Sequence, residues 1–157
     1  MLSMVAETVA LYGKLDIMVN NSGGARNQGR PENFTYQGWL DEIALNLSSV
    51  FLGSQTAAKV MIEQGHGGKI INISSKAGSS GQTTMVGYGA SKAGVNNLTE
   101  VIILCTYIGC LIYIKSIILC IKKQQGLANS WARHSINVNV VAPGLTATPG
   151  ATYTTQS

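Results

Sequence analysis

A tyrosine and a lysine four positions apart, Tyr88 and Lys92, are the residues best suited to chemistry, and they stand where a helical pattern begins. Residues at this spacing share one face of a helix, so the phenol and the ammonium are expected to be neighbours. Tyrosine in water ionises only near about pH 10, which makes it a poor proton donor or acceptor at neutrality. A nearby ammonium favours the phenolate, and the pair can then move a proton to or from a substrate oxygen. Taken alone, the same spacing is also typical of an ordinary helix face.

Two hydroxyls end the apolar run that precedes this helix. Residues 70–73 are rich in isoleucine, which predicts a buried strand, and Ser74 and Ser75 follow it. A loop rich in glycine and serine then leads to the helix. A serine at the end of a strand can hold a substrate oxygen opposite the tyrosine. Both serines are equally typical of an ordinary turn.

Two further apolar runs, at 16–19 and 136–141, predict strands that are buried in a sheet. Helical patterns separate the strands. They cover residues 1–13, 35–45, 50–63 and 88–100, with a last helical stretch at 126–133. Strands that alternate with helices predict a parallel α/β sheet. Such sheets bind ligands beyond the carboxyl ends of their strands, where Asn20, Ser75 and Pro143 lie.

A few residues mark where these helices begin and end. Thr35 is a predicted N-cap, and Gly13 is a natural C-terminal cap. The glycine-rich residues 65–68 end the third helix. They do not form a phosphate-binding loop, because no serine or threonine follows Lys69.

Composition and charge exclude one class of function and favour one kind of fold. The chain has 157 residues, enough for one domain with a hydrophobic core. Its net charge is +4, but residues 101–125 hold three basic residues and no acidic one, which leaves 8 basic against 7 acidic residues elsewhere. That balance argues against a nucleic-acid-binding protein. The low charged fraction of 11% and the 18 glycines fit a buried sheet with tight loops.

The cysteines and histidines predict no metal site. Cys105, Cys110 and Cys120 have no metal-ligand spacing, and neither His66 nor His134 stands in pattern with a second ligand. The odd number of cysteines and the lack of a signal-peptide pattern predict a cytoplasmic location.

Five motifs, in this order, resemble the short-chain dehydrogenase/reductase family in its Tyr-x-x-x-Lys form. They are NNSG at 20–23, NLSSVF at 46–51, INISS at 71–75, YGASK at 88–92, and PG followed by TATP at 143–149. Ser22 stands where the family has alanine, and the 13 positions from Ser75 to Tyr88 agree with the family. The resemblance covers residues 1–100 and 126–150, and within the family it is similar to 3-oxoacyl-carrier-protein reductases and sugar or polyol dehydrogenases.

The resemblance implies an NAD(P)-dependent oxidoreductase that transfers a hydride between nicotinamide and a small carbonyl or alcohol substrate. It implies that Tyr88 is the general acid/base and that Lys92 supports it and hydrogen-bonds the nicotinamide ribose. Ser75 would position the substrate oxygen, and Asn46 would hold a water that links Lys92 to solvent. The implied cofactor-binding residues are Asn20, Ser22, Gly23, Tyr88, Lys92, Pro143, Gly144, Thr146 and Thr148. The intact enzyme would be a homo-oligomer.

A basic loop near the implied cofactor site bears on the substrate. Arg26 and Arg30 lie in this loop, between the NNSG motif and the second helix. Two positive charges at the mouth of a site favour an anionic substrate. Charged loop residues are also commonly just solvated.

The fold implied is a partial Rossmann-like, doubly wound parallel sheet, because the family's glycine-rich fingerprint, TGxxxGxG, is not found and would precede Met1. That fingerprint holds the pyrophosphate at a helix N-terminus, so we expect weak cofactor binding. The residue that would select NAD or NADP is also not found. The alternative is a catalytically inactive fragment of such an enzyme.

Residues 101–125 do not fit the family pattern, and we treat residues 1–157 as one incomplete domain with this segment as an insert. Lys92 and Pro143 are 51 positions apart, and removal of the 25 residues leaves the family's expected separation of 26. One hypothesis is a retained intron of 75 nucleotides. Another is a real membrane segment, since 101–121 is apolar and long enough to span a bilayer and is flanked by Lys122 and Lys123. The protein would then be membrane-associated.

Overall fold

Three parallel strands form the sheet, and their carboxyl ends lie at one edge. A computed structural model describes residues 2–99 and 127–144 of the chain. The strands are β1 (Ile17–Asn20), β2 (Gly68–Ile73) and β3 (Ile136–Val141), in the order β1-β2-β3. Asn20 is in register with Asn72, and Ile73 with Val141. The predicted α/β class with a parallel sheet is therefore confirmed.

Helices connect the strands, and several predicted end signals are confirmed. The helices are α1 (Leu2–Tyr12), α2 (Tyr36–Ile43), α3 (Ser49–Gln64), α4 (Val86–Leu98) and α5 (Leu127–Ala132). The Thr35 hydroxyl accepts a hydrogen bond from the Gly38 backbone N–H at 3.0 Å, as expected of an N-cap. Gly13 and Gly65 follow α1 and α3 in the left-handed region, which glycine adopts without strain.

A π-helical segment, Ala44–Ser48, joins α2 to α3, so residues 36–64 form one continuous helix. The sequence indicated two helical stretches, 35–45 and 50–63, and left the residues between them unassigned. The extra residue of a π-turn shifts the apolar pattern by about 100°, which looks like a helix end in the sequence. Asn46 lies in this segment and is buried. Such segments are frequent at functional sites, and here the segment carries a predicted site residue.

The helices cover one face of the sheet. The main hydrophobic cluster joins that face to α1, α3 and the segments beside them, and it contains Val5, Leu15, Met18, Ala57, Ala58, Met61, Ile70, Ile136 and Val138. A smaller cluster of Val50, Val95 and Val140 places α4 on the same face. On the opposite face Ile17 and Val19 are 56% and 52% exposed. The predicted burial of this strand therefore holds for Met18 and Asn20, whereas Ile17 and Val19 are exposed on the other face.

Candidate active site

The segments that follow β2 and β3 meet at the carboxyl edge of the sheet. The Ser74 backbone N–H donates to the Val141 carbonyl at 2.7 Å, and the Lys76 N–H donates to the Pro143 carbonyl at 2.9 Å. Ser75 lies between these two contacts. Its hydroxyl oxygen accepts the Ala77 N–H at 3.1 Å and so caps a short 3₁₀ turn, Lys76–Gly78. The backbone thus fixes Ser75 at the strand end where it was predicted.

The same turn packs against the backbone of α4. A side-chain carbon added to Gly78 would lie 2.6 Å from the Lys92 carbonyl carbon and 2.8 Å from the Ala93 nitrogen. The Ser74 hydroxyl donates to the Lys92 carbonyl oxygen at 3.0 Å. These contacts hold the middle of α4 against the end of β2.

Lys92 and Tyr88 lie one turn apart on α4, with the lysine directed into the protein. The residue is 3% exposed, and its ammonium donates to the Ile73 carbonyl at 2.8 Å. Its Nζ lies 5.7 Å from the centre of the Tyr88 ring, within the range of a cation–π contact. Burial lowers the pKa of Lys92 from its ordinary value of 10.5. The spacing of the sequence motif is thus realised as contact between the two side chains.

The side chains of Asn46 and Lys92 both approach the space beside Gly23. A side-chain carbon added to Gly23 would lie 2.6 Å from Asn46 Oδ1 and 3.1 Å from Lys92 Nζ, and the glycine has φ +153°. Both geometry and space therefore require glycine in this turn. Asn46 Oδ1 accepts the Gly24 N–H at 2.9 Å, and its Nδ2 donates to the Gly24 carbonyl at 3.1 Å. Three sequence motifs, at Gly23, Asn46 and Lys92, thus converge on one point.

Glu42 belongs to the same constellation and was not identified from the sequence. Its side chain is fully buried, with 0% exposure. One carboxylate oxygen accepts the backbone N–H groups of Arg26 and Asn27, both at 2.7 Å, and the other accepts Asn46 Nδ2 at 2.9 Å. A signal was present: Glu42 is a charged residue three positions after Trp39, on the apolar side of the helical pattern.

Asn20 lies at the predicted strand end, but its side chain points into the core. Its Nδ2 donates to Ser54 Oγ at 3.0 Å and to Asn72 Oδ1 at 2.7 Å. The Asn72 amide in turn donates to Thr99 Oγ1 at 2.6 Å. This buried polar network ties β1 and β2 to α3 and to the end of α4. Any part that Asn20 takes in cofactor binding stays a prediction.

The remaining predicted site residues are on the surface or outside the described residues. Ser22 and Gly144 are exposed and Pro143 is half-buried, all near the same edge of the sheet. Thr146 and Thr148 lie outside the described residues, as does the apolar segment 101–121.

Neither a metal site nor a membrane-spanning helix is found in the part of the chain that the structure describes. Within 2–99 and 127–144, no three His, Cys, Asp or Glu side chains are grouped closely enough to bind a metal ion. No helix in those two ranges has the length and apolar character needed to cross a membrane.

Known proteins are similar in sequence to this chain over most of its length. A family model described as short chain dehydrogenase matches residues 1–107. A 2-dehydro-3-deoxy-D-gluconate 5-dehydrogenase from Dickeya dadantii is 40% identical over 146 residues, which cover 93% of this chain and 47% of the relative. An acetoacetyl-CoA reductase from an Acinetobacter species is 35% identical over 148 residues, 94% of this chain and 49% of the relative. The chain therefore spans about half the length of the curated relatives it matches.

A solved structure resembles this fold over a similar share of the two chains. The crystal structure of an acetoin dehydrogenase from Enterobacter cloacae superposes with a TM-score of 0.73 at 28% identity. The match covers 95% of this chain and 49% of that one. This chain therefore corresponds to about half of that solved chain.

Proposed function

The chain belongs to the short-chain dehydrogenase/reductase family, and we propose that it is an NAD(P)-dependent oxidoreductase acting on a carbonyl or alcohol. Tyr88, Lys92, Ser75 and Asn46 form its catalytic set. The arrangement of Tyr88 and Lys92 carries this proposal. A buried ammonium at 5.7 Å from the centre of the phenol ring is costly to maintain, and proton transfer by the tyrosine gives it a use.

The proton chemistry follows from these side chains. In the reducing direction the Tyr88 phenol gives its proton to the substrate oxygen, and in the oxidising direction the phenolate takes it back. The Lys92 ammonium stabilises the phenolate in both directions. The Ser75 hydroxyl accepts the Ala77 N–H, so its own proton can be donated to the same substrate oxygen. Asn46 places an amide oxygen beside the lysine, where a water can connect Lys92 to solvent.

The residues present fit a nicotinamide cofactor on the side of the site that the described chain forms. An ammonium has three N–H donors, and the Ile73 carbonyl takes one, which leaves donors for a ribose hydroxyl. The turn of Asn21, Ser22 and Gly23 beside it is exposed and carries only small polar side chains. A bound nicotinamide supplies or accepts the hydride. Lys92 and this turn would hold it.

The substrate we propose is a keto or hydroxy sugar acid. The Dickeya relative is named for a gluconate derivative, which carries a carboxylate. Arg26 and Arg30 are exposed in the loop that follows the Gly23 turn, and Glu42 fixes the backbone of that loop at Arg26. Two guanidinium groups near the mouth of the site can pair with a substrate carboxylate.

Steady-state kinetics of the purified chain test this proposal. The assay uses millimolar NADH or NADPH, because weak cofactor binding is expected, with a keto sugar acid and the corresponding neutral keto sugar. Tyr88→Phe should lower kcat by about 10²–10⁴-fold, since it removes the proton donor. The matched control is Tyr36→Phe, whose ring is 76% exposed on α2. The sugar acid should have the higher kcat/KM.

Two results would contradict the proposal. A wild-type rate no higher than that of Tyr88→Phe with either coenzyme would favour the alternative, a catalytically inactive fragment of the family. Equal kcat/KM values for the acid and the neutral sugar would leave the oxidoreductase proposal standing and remove the substrate class.

A further inference from the structure

Glu42 is a buried carboxylate that meets only hydrogen-bond donors. Arg26 N–H and Asn27 N–H reach one oxygen, and Asn46 Nδ2 reaches the other. No basic side chain pairs with it among the described residues, and its Cβ faces Gly87 near the start of α4. Three donors on two oxygens are the pattern of an ionised carboxylate, which accepts hydrogen bonds and donates none.

This pattern decides which way the Asn46 amide points. An asparagine amide can turn by 180°, and the exchange of its oxygen and nitrogen leaves the shape almost unchanged. Here the nitrogen must face Glu42, because an amide oxygen there would meet a carboxylate oxygen. The Nδ2 also donates to the Glu42 and Gly24 carbonyls, both at 3.1 Å. The amide oxygen is therefore left to face Gly24 N–H and the point beside Gly23 where Lys92 Nζ lies.

We propose that Glu42 is a positioning residue of the active site, whose carboxylate holds the Asn46 amide oxygen toward Lys92 and fixes the loop at Arg26 and Asn27. This inference rests on the proposed function, since a proton relay from Lys92 through Asn46 has a use only if Tyr88 exchanges protons. Glu42 touches neither the substrate nor the reacting atoms in this scheme. It acts through Asn46.

Exchange of donor and acceptor between the two residues separates orientation from simple packing. In Glu42→Gln the new amide nitrogen replaces one of the two carboxylate oxygens, so a donor then faces a donor. It faces either the backbone N–H groups of Arg26 and Asn27 or the Asn46 nitrogen. In the second case a 180° turn of the Asn46 amide relieves the clash. That turn brings an amide nitrogen to Gly24 N–H, which then loses its acceptor. In the double variant E42Q/N46D, the amide of residue 42 is the donor and the carboxylate of residue 46 is the acceptor, the reverse of the wild-type arrangement. The added carboxylate also returns the net charge to that of the wild type. Glu63→Gln is the control, because Glu63 is exposed on the same continuous helix.

Amide hydrogen exchange of the full chain, followed by NMR, is the deciding measurement. In the wild type the Gly24, Arg26 and Asn27 amides should be protected, whereas the exposed loop residue Gly81 sets the unprotected rate. In Glu42→Gln the Gly24 amide should exchange at least about tenfold faster, because hydrogen bonds within a buried polar network are strong. The double variant should recover most of this protection, and Glu63→Gln should not change it.

Turnover is measured on the same samples as a second readout. Glu42→Gln should lower kcat about tenfold or more with little change in KM, because the carboxylate does not contact the substrate. A loss confined to KM would contradict a role through the relay.

The outcomes distinguish this inference from the proposed function. Wild-type amides of Arg26 and Asn27 that exchange as fast as that of Gly81 would overturn it without any variant. So would a Glu42→Gln variant that keeps the Gly24, Arg26 and Asn27 amides all protected, or a folded double variant that recovers nothing. Protection as expected, without turnover in the wild type, would instead refute the proposed function and leave Glu42 with a structural role only.

Discussion

Lys92 is the residue on which the contacts of the candidate site converge. Its ammonium is bound by the Ile73 carbonyl, its main-chain carbonyl accepts the Ser74 hydroxyl, and its side chain lies over the Tyr88 ring. Gly23 leaves room for it beside Asn46. A charged group in such a place costs free energy, because its neighbours replace only part of the water it has lost. This cost is the reason that the pKa of Lys92 is lowered.

The lowered pKa of Lys92 should appear in the pH dependence of stability. A folded-state pKa below 10.5 means that the unfolded chain binds more protons between the two values, so stability rises with pH across that window. We expect the free energy of unfolding of the wild type, relative to Lys92→Met, to increase as the pH approaches 10.5. The slope can reach about 1.4 kcal/mol per pH unit for one group. Urea unfolding at several pH values measures it.

A second lysine provides the control for this titration. Lys59 is exposed on α3, and Lys59→Met should track the wild type across the same pH range. Parallel curves for the wild type and Lys92→Met would show that the folded state leaves the pKa of Lys92 unchanged, contrary to the expectation.

The sequence identified the catalytic candidates because each lies in a local motif. Tyr88 and Lys92 are four apart on one helix, so helical geometry alone predicts that they are neighbours. Glu42 was missed because two of its three donors, Arg26 and Asn27, are brought to it by the fold of a loop. The core contacts of the Asn20 side chain were not predicted for a related reason, since strand alternation defines two faces but does not tell which of them the helices cover.

At the scale of elements, the 3₁₀ turn Lys76–Gly78 sets the position of α4. Gly78 lies so close to the helix that a side-chain carbon added to it would clash with backbone atoms of Lys92 and Ala93. Backbone in the middle of a helix cannot move aside as a flexible side chain can. The packing of this turn therefore determines how far Lys92 lies from the end of β2.

Substitution of Gly78 tests this packing. Gly78→Ala should destabilise the fold by about 1–3 kcal/mol, the usual cost of overpacking, because turn and helix must separate. Gly81→Ala is the matched control, since an added carbon at Gly81 meets nothing within 4 Å and neither glycine has a positive φ. Urea unfolding of both variants measures the difference. Equal stabilities would mean that the turn does not press on α4.

Elements were predictable from the sequence where the pattern is regular and end signals are present. The strands at β1, β2 and β3, the N-cap Thr35 and the terminal Gly65 all follow from local sequence. The π-helical segment around Asn46 did not, because a register shift inside a helix resembles the gap between two helices. The hydrogen bonds of Asn46 Nδ2 to Glu42 show what stabilises the segment instead.

At the scale of the whole molecule, the two faces of the sheet differ in how far the described residues cover them. One face of the sheet is covered, while Ile17, Val19 and Val141 on the other face are 56%, 52% and 48% exposed. Apolar strand residues of a parallel sheet are normally covered on both faces. The match to about half of each relative is consistent with this exposure.

The segment 101–125, which we predict to be an insert, is the remaining feature at this scale. The family match ends at residue 107, inside the segment. The helix α4 ends at Leu98 and α5 begins at Leu127, and both pack on the covered face of the sheet. Without residues 101–125, only three residues would separate the two helices. We expect most of the message to lack the corresponding 75 nucleotides, and sequencing of transcripts across codons 95–130 measures this fraction.

A deletion variant gives the same hypothesis a physical test. Removal of residues 101–125 should join α4 and α5 in one helix, which NMR detects as helical chemical shifts at Thr99. The free energy of unfolding should also rise, because a shorter connection between α4 and α5 costs less entropy to close. A message that keeps the 75 nucleotides, together with a deletion variant that is less stable than the full chain, would establish the segment as a genuine part of the protein. Fractionation of cells would then decide whether 101–121 carries the chain to membranes.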